Sequence, residues 1–224
     1  MSKSPSKHES GHNESSEEVS VEDFKKHIIE SDVLDPEGVH HEFVSGLHGR
    51  KLDFDVIPDD SELFREWVQV VAQKVAELYP DIPLRRLALL SVAGGTNRLV
   101  GPVAEAMGGG VTSLLTEKIS PKEVELTTEA KKNLKELRPE LVLVIEDVGT
   151  QGTTSASAVR SATEAGARRV EALNTWQRSH SLIKLDEIGA NYNSVVKELL
   201  PNLTPEECRE SGYCAQGWKL IEHA

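Results

Sequence analysis

Between residues 87 and 176, four short apolar runs alternate with segments long enough to form helices, and this alternation restricts the fold more than any other feature. The runs are LALLSV (87–92), VTSLL (111–115), LVLVIE (141–146) and VEALNTW (170–176). They lack the polar alternation of a strand with one wet face. Runs of this kind belong to parallel strands covered on both sides, so an α/β protein is expected. Between the third and fourth runs lies TTSASAVRSATEAGA, a helix whose Gly166 supplies a C′ residue free to take positive φ. Aromatics make up only 4% of the chain against 38% for all hydrophobic residues, so the core must come mainly from Val, Leu, Ile and Ala.

Upstream, Val21 to Ile29 reads as a helix with a narrow apolar stripe. Residues 40–57 read as strands joined by a turn at Gly46 and Gly49, and Leu52, Phe54 and Val56 alternate with Asp53 and Asp55 as in a half-buried strand. Asp59 to Tyr79 is the clearest helix, capped by Ser61 and ended by Pro80, with Trp67 on its core stripe. Thr128 to Leu137 reads as a charged helix whose Lys131, Lys132 and Lys135 form a solvated face. The last forty residues carry two helix-like pieces and a Cys/Gly-rich end, expected to pack as an appendage over the sheet edge. Residues 1–18 contain one apolar side chain, Met1, and are expected to form a disordered tail, with His8 and His12 solvated. That leaves 19–224 as one domain.

The chain has 25 Lys+Arg against 37 Asp+Glu, a formal net charge of −12, which argues against wrapping a nucleic-acid backbone. No apolar run approaches the roughly 20 residues that span a bilayer, and the N-terminus has no signal-like stretch. Two cysteines make no disulfide framework, so a soluble, cytoplasmic protein is expected. Cys208 and Cys214 are spaced C-x5-C, with His223 as a third candidate ligand, an incomplete pattern for zinc. His48, in the SGLHG turn, is a candidate for touching ligand or for a histidine satisfied by backbone.

The chemistry concentrates in LVLVIEDVGTQGTTS (141–155). A buried strand delivers Glu146 and Asp147 to its carboxyl end, where ligands bind in open α/β sheets. A loop of glycine and hydroxyl residues then runs into a helix, the parts of a phosphate cradle. Two acids beside a phosphate cradle suit a polyol or a metal-bound group on the same ligand, and a sugar phosphate with free vicinal hydroxyls fits both halves. The alternative is an ordinary strand–turn–helix with Glu146 and Asp147 as solvated strand-end residues. Neither a Walker loop nor a G-x-G-x-x-G fingerprint is present.

VLVIEDVGTQGTTSASAV resembles the phosphoribosyl-pyrophosphate (PRPP) motif of type I phosphoribosyltransferases. SGLHGRKLDFDVI (45–57), SVAGGTNRLVGPVAEAMGG (91–109), Arg178 in NTWQRS and LPNLTPEECRESGYCAQG (200–217) resemble, in order, further landmarks of the orotate-type members. The resemblance implies a parallel sheet flanked by helices, with a small hood built from the N- and C-terminal segments. It implies that Glu146 and Asp147 hold the ribose hydroxyls of PRPP, and that Thr150, Gln151, Gly152, Thr153 and Thr154 hold its 5′-phosphate. Ala93, Gly94, Gly95 and Thr96 would line the pyrophosphate, and Lys118, in a loop after the second strand, would close over it. Arg178, with Ser45 and Gly46, would face the base. Mg²⁺ would ride on PRPP's own oxygens, with Asp147 as the one side chain considered for it. The implied activity is transfer of ribose 5-phosphate to a base, orotate first, in a homodimer. The alternatives are a purine or other base, or a regulatory protein that binds PRPP without turnover.

Departures from the family pattern concern activity. Gly149 and Gln151 are unusual in the phosphate loop, and the glycine-rich closing loop is missing between the second and third strands. Aromatics expected after the SG turn are replaced by Leu52 and Asp53, and Gln177 stands where an acid often precedes the arginine.

Overall fold

A computed structural model of the chain describes residues 19–43 and 46–222. The expected tail over 1–18, with His8 and His12, and the candidate residues Ser45 and His223 lie outside the described residues. Helix α1 (Val21–Glu30) starts at Ser20, whose hydroxyl accepts the Asp23 amide at 3.1 Å, and it buries Phe24 and Ile28. Strands β1 (Val39–Glu42) and β2 (His48–Gly49) pair antiparallel, the expected turn between strands. The strand expected over Leu52–Val56 is instead a 3-10 turn at Phe54–Val56. Asp53 accepts the Asp55 amide at 3.1 Å and tightens the chain, so Phe54 is buried while Val56 is 50% exposed. A side-chain cap outweighs the two-residue alternation there.

Helix α2 (Glu62–Leu78) begins where Ser61 accepts the Phe64 amide at 3.1 Å. Trp67 is fully buried in the core, as its place on the stripe requires, and donates to Thr175 Oγ1 at 2.7 Å. Then follow β3 (Leu87–Ser91), α3 (Val100–Ala106), β4 (Thr112–Leu114), the hairpin strands β5 (Thr116–Ser120) and β6 (Glu123–Leu126), and α4 (Thr128–Leu137). The chain continues through β7 (Leu141–Gly149), α5 (Thr153–Glu164), β8 (Val170–Gln177), α6 (Ile183–Asp186), β9 (Tyr192–Lys197), α7 (Pro205–Ser211) and β10 (Lys219–Ile221).

The central sheet has the order β4-β3-β7-β8-β9, with every pair parallel. Alternate residues of β7 serve opposite cores. Leu141, Leu143 and Ile145 pack with Trp67, Val71 and Leu99 on one side. Val142 and Val144 pack with Leu126, Leu134 and Ala158 on the other. All five of these strand residues are fully buried, which is why the run reads as uniformly apolar.

The tail corrects the expectation of two helix-like pieces, because β9 is a strand. Its only buried side chains are Val195 and Val196, since it lies at the sheet edge, so its apolar signal is weak. The ends of the described chain meet in a second sheet of order β10-β1-β2, in which β10 runs parallel to β1. This small sheet is the hood expected from the terminal segments. No helix among the described residues is long and apolar enough to cross a membrane.

Candidate functional site

The site forms where β7 and β8 end. Strand β7 runs through both acids to Gly149, and β8 ends beside it, with the Arg178 amide donating to the Gly149 carbonyl at 3.0 Å. Gly149 leaves no room for a side chain, since a Cβ there would lie 2.7 Å from Asn174 Oδ1. The unusual glycine is thus explained by a buried asparagine on the next strand. Gly152 takes φ +73° and opens α5, and a Cβ on it would meet Leu182 and Leu185 at 3.2 and 3.1 Å. It supplies no side-chain cap, so the first amides of α5, at Thr153 and Thr154, have no acceptor within the helix. An anion placed there meets N–H groups and the positive end of the helix dipole. Thr153 and Thr154 are partly exposed at this mouth, and Gln151 is exposed beside it. The Thr150 carbonyl accepts the Ser179 hydroxyl, and the Gln151 carbonyl accepts the Lys184 amide at 2.9 Å, which fix the loop against the α6 segment.

The two acids differ in their surroundings. Ser155 donates its hydroxyl to Glu146. Burial, then the Asp147 charge, nevertheless push the Glu146 carboxyl up to about 8. Asp147 is raised to about 6, chiefly by burial, with the Asp55 and Asp53 carboxylates adding to it. Asp55 lies against Gly95, and a Cβ on Gly95 would also stand 3.6 Å from Asp147 Oδ2. The 3-10 turn at Phe54–Val56 therefore brings a third carboxylate to the loop after β3. Asp53 is paired with Lys51, whereas Asp55 has no ion-pair partner among the described residues.

The loop after β3 holds Ala93, Gly94, Gly95 and Thr96 as expected, but the Thr96 hydroxyl is already engaged. It accepts the Val92 amide at 2.8 Å and donates to the Val92 carbonyl, closing the turn. Among that group, Gly94 is exposed and Gly95 buried under Asp55. Arg98 ties the end of this loop to the hood, donating to the Phe54 carbonyl at 2.7 Å and pairing with Asp59.

Lys118 corrects its expected placement. It lies on β5, opposite Val124 of β6, and not in a loop. The hairpin is anchored to α5, because Ser157 and Ser161 accept the Val124 and Leu126 amides at 3.1 and 3.0 Å. Lys118 is exposed on that hairpin and makes no ion pair among the described residues.

Arg178 is 5% exposed, and its Nε and Nη2 have no hydrogen-bond partner among the described residues. Burial pulls its pKa down to about 10. Gln177 does not supply the missing acid, since its side chain is spent on the Ser179 carbonyl at 2.9 Å and the Ser194 hydroxyl at 2.7 Å. The guanidinium faces the ring of Phe43, 5.2 Å from its centroid. Gly46 lies at the tip of the β1–β2 turn, where its amide donates to the Phe43 carbonyl at 2.7 Å. Sequence reasoning missed Phe43, Asp55 and Ser155. Phe43 stands just before the SG turn, whereas the family pattern places its aromatics after that turn.

A cavity of about 860 Å³ lies elsewhere, between Arg86, Lys135, Arg138, Glu140 and Arg169 at the amino ends of the strands. It touches neither the acids nor the phosphate loop. The strand carboxyl ends are the candidate site because free helix amides, two acids and a buried cation lie there.

No family model and no curated protein matches the chain. Solved structures do match. An orotate phosphoribosyltransferase from Aeropyrum pernix aligns at 17% identity and a TM-score of 0.55, over 79% of this chain and 92% of that one. An adenine phosphoribosyltransferase aligns at 16% and 0.54, over 77% and 99%. An orotate phosphoribosyltransferase from Mycobacterium tuberculosis, in complex with 5-phospho-α-D-ribosyl 1-diphosphate, aligns at 16% and 0.53, over 79% and 95%. The chain has the type I phosphoribosyltransferase fold. Orotate and adenine enzymes share that architecture, so the likeness leaves the base open.

Proposed function

We propose that this protein transfers ribose 5-phosphate from PRPP to orotate, releasing pyrophosphate. The observation that carries the choice of base is Arg178, a buried guanidinium at the strand ends with two donor nitrogens unpartnered among the described residues. A buried charge without a partner is costly, and a ligand carboxylate would satisfy it bidentately. A neutral purine would leave that charge bare. Phe43 offers the base a flat apolar face beside the guanidinium.

On this reading the Thr153 and Thr154 amides hold the 5′-phosphate, and Asp147 orients the ribose hydroxyls. Pyrophosphate departs from C1 as a base nitrogen bonds to it, and the sugar passes through an oxocarbenium-like state that the nearby carboxylates favour. Mg²⁺, carried on PRPP's oxygens, would neutralise the leaving pyrophosphate. The donor set fits it, because Asp147 and the unpaired Asp55 both border Gly95 and supply hard oxygen ligands. Lys118 is the side chain we assign to the pyrophosphate, in a cytoplasmic homodimer.

One observation favours a second reading, a PRPP-binding regulator without turnover. The hairpin carrying Lys118 is bonded to α5 where a mobile closing loop would otherwise lie. Incubation with PRPP, Mg²⁺ and a panel of bases separates the readings by pyrophosphate release. Release with orotate alone supports the transferase; calorimetric PRPP binding without release for any base supports the regulator. D147N should abolish PRPP use without lowering the melting midpoint, and an equal loss of both would remove Asp147 from the site.

A further inference from the structure

The hood holds a group of side chains that the phosphoribosyl chemistry does not use. His40 of β1, His48 of β2, Cys208 of α7 and Cys214 of the turn beyond it place their ligand atoms within 4.8 Å of one another. His40 Nε2 lies 3.3 Å from Cys214 Sγ, and His48 Nδ1 lies 3.4 Å from the same sulfur. Cys208 Sγ accepts the Cys214 amide at 3.2 Å. Both cysteines are free thiols, His40 and Cys208 are fully buried, and His48 is 5% exposed.

We propose that His40, His48, Cys208 and Cys214 form a closed, four-coordinate Zn²⁺ site that clasps the N-terminal hairpin to the C-terminal tail. The donor set, two thiolates and two imidazoles, is one that zinc prefers. Around a tetrahedral zinc, with Zn–S near 2.3 Å and Zn–N near 2.0–2.1 Å, ligand atoms stand roughly 3.3–3.8 Å apart. The two observed N···S separations fall at that spacing, and no pair of the four ligand atoms is more than 4.8 Å apart. On binding, each thiol yields its proton to solvent and forms an S–Zn bond, and the two thiolate charges balance the cation. Four protein ligands leave no open position for water, so the site is structural and not catalytic.

The backbone presents the ligands in a fixed frame. Glu42 pairs with His48 across β1 and β2, which puts His40 and His48 on the same face of the hairpin. His48 exchanges two backbone hydrogen bonds with Leu203, at 2.8 and 2.9 Å, just ahead of α7. Tyr213, between the cysteines, packs against His40 at 5.5 Å between ring centroids and against Trp218 at 4.9 Å. Phe43, which faces Arg178, follows β1 directly. The metal would thereby stiffen the hood over the base-binding end of the sheet, although its binding does not depend on what the protein catalyses.

The test uses the full chain, purified reduced and without a polyhistidine tag. About one zinc per chain is expected by atomic emission, and stripping it with a chelator should lower the melting midpoint by about 10 °C or more. Cobalt(II) added to the stripped protein should give the visible bands of a tetrahedral site and a near-ultraviolet thiolate-to-metal transition. C208S/C214S should lose both signals while retaining His8 and His12, which controls for weak binding by other histidines. If that variant does not fold, chelator-dependent exposure of both thiols in the wild-type protein gives the same answer. Zinc uptake by the reduced wild-type chain below about 0.1 per chain would overturn the proposal. A Cys208–Cys214 disulfide forming in air, with no zinc uptake after reduction, would also overturn it.

Discussion

Replacing Glu146 by glutamine tests the charge state of the strand-end acids. Burial, reinforced by Asp147, raises the Glu146 carboxyl from 4.5 to about 8 in the folded chain. Between those values the folded protein keeps a proton that the unfolded chain releases. Stability therefore falls as pH climbs from about 4.5 to about 8 and carries no such penalty below that window. Moving a carboxyl from 4.5 to about 8 corresponds to about 5 kcal/mol. Glu146 keeps partial exposure, and solvent screening should reduce this to about 2–3 kcal/mol. Glutamine preserves the shape and does not titrate. E146Q should thus match the wild-type protein at about pH 4 and exceed it by about 2–3 kcal/mol at about pH 8.5. For a chain of this size the gain amounts to about 5–10 °C in melting midpoint. Urea unfolding of both proteins at the two pH values, in metal-free buffer, measures it. Parallel pH profiles for the two proteins would refute the claim that Glu146 is held protonated.

Gly152→Ala should cost about 1–3 kcal/mol in urea unfolding, because the backbone at φ +73° disfavours a Cβ and Leu182 and Leu185 occupy its space. A midpoint unchanged within error would mean the loop can relax. Arg178→Met should leave stability equal or higher, because it removes an unpartnered buried charge, while raising the KM for orotate by about tenfold or more. A stability loss above about 1 kcal/mol would instead assign Arg178 a structural role. Trp67→Phe should cost about 1–3 kcal/mol by orphaning the buried Thr175 hydroxyl, with substrate KM values unmoved; a shift in KM would contradict its place in the core.

Local pattern carried much of the architecture because it records burial directly. The uniformly apolar run Leu141–Ile145 is a strand covered on both faces, and Thr128–Leu137 is a helix with the bounds its pattern indicated. The loop from Glu146 to Ser155 was legible as an acid-plus-amide site, since a strand feeding a glycine loop and a helix has few other geometries. Where pattern misled, a single local contact or an edge position was responsible. Asp53 capped a 3-10 turn through an alternating segment, and β9 at the sheet edge kept too little apolar surface to be seen.

The sequence by itself determined the parallel sheet and the chemical character of its carboxyl edge, because both follow from side-chain type at short range. Only the tertiary structure decided which distant residues share that edge. Phe43 facing Arg178, Asp55 at Asp147, and two histidines beside two cysteines far along the chain all depend on how the hood docks. Such contacts leave no periodic trace in the chain, since they are set by packing between elements and not by the repeat within one.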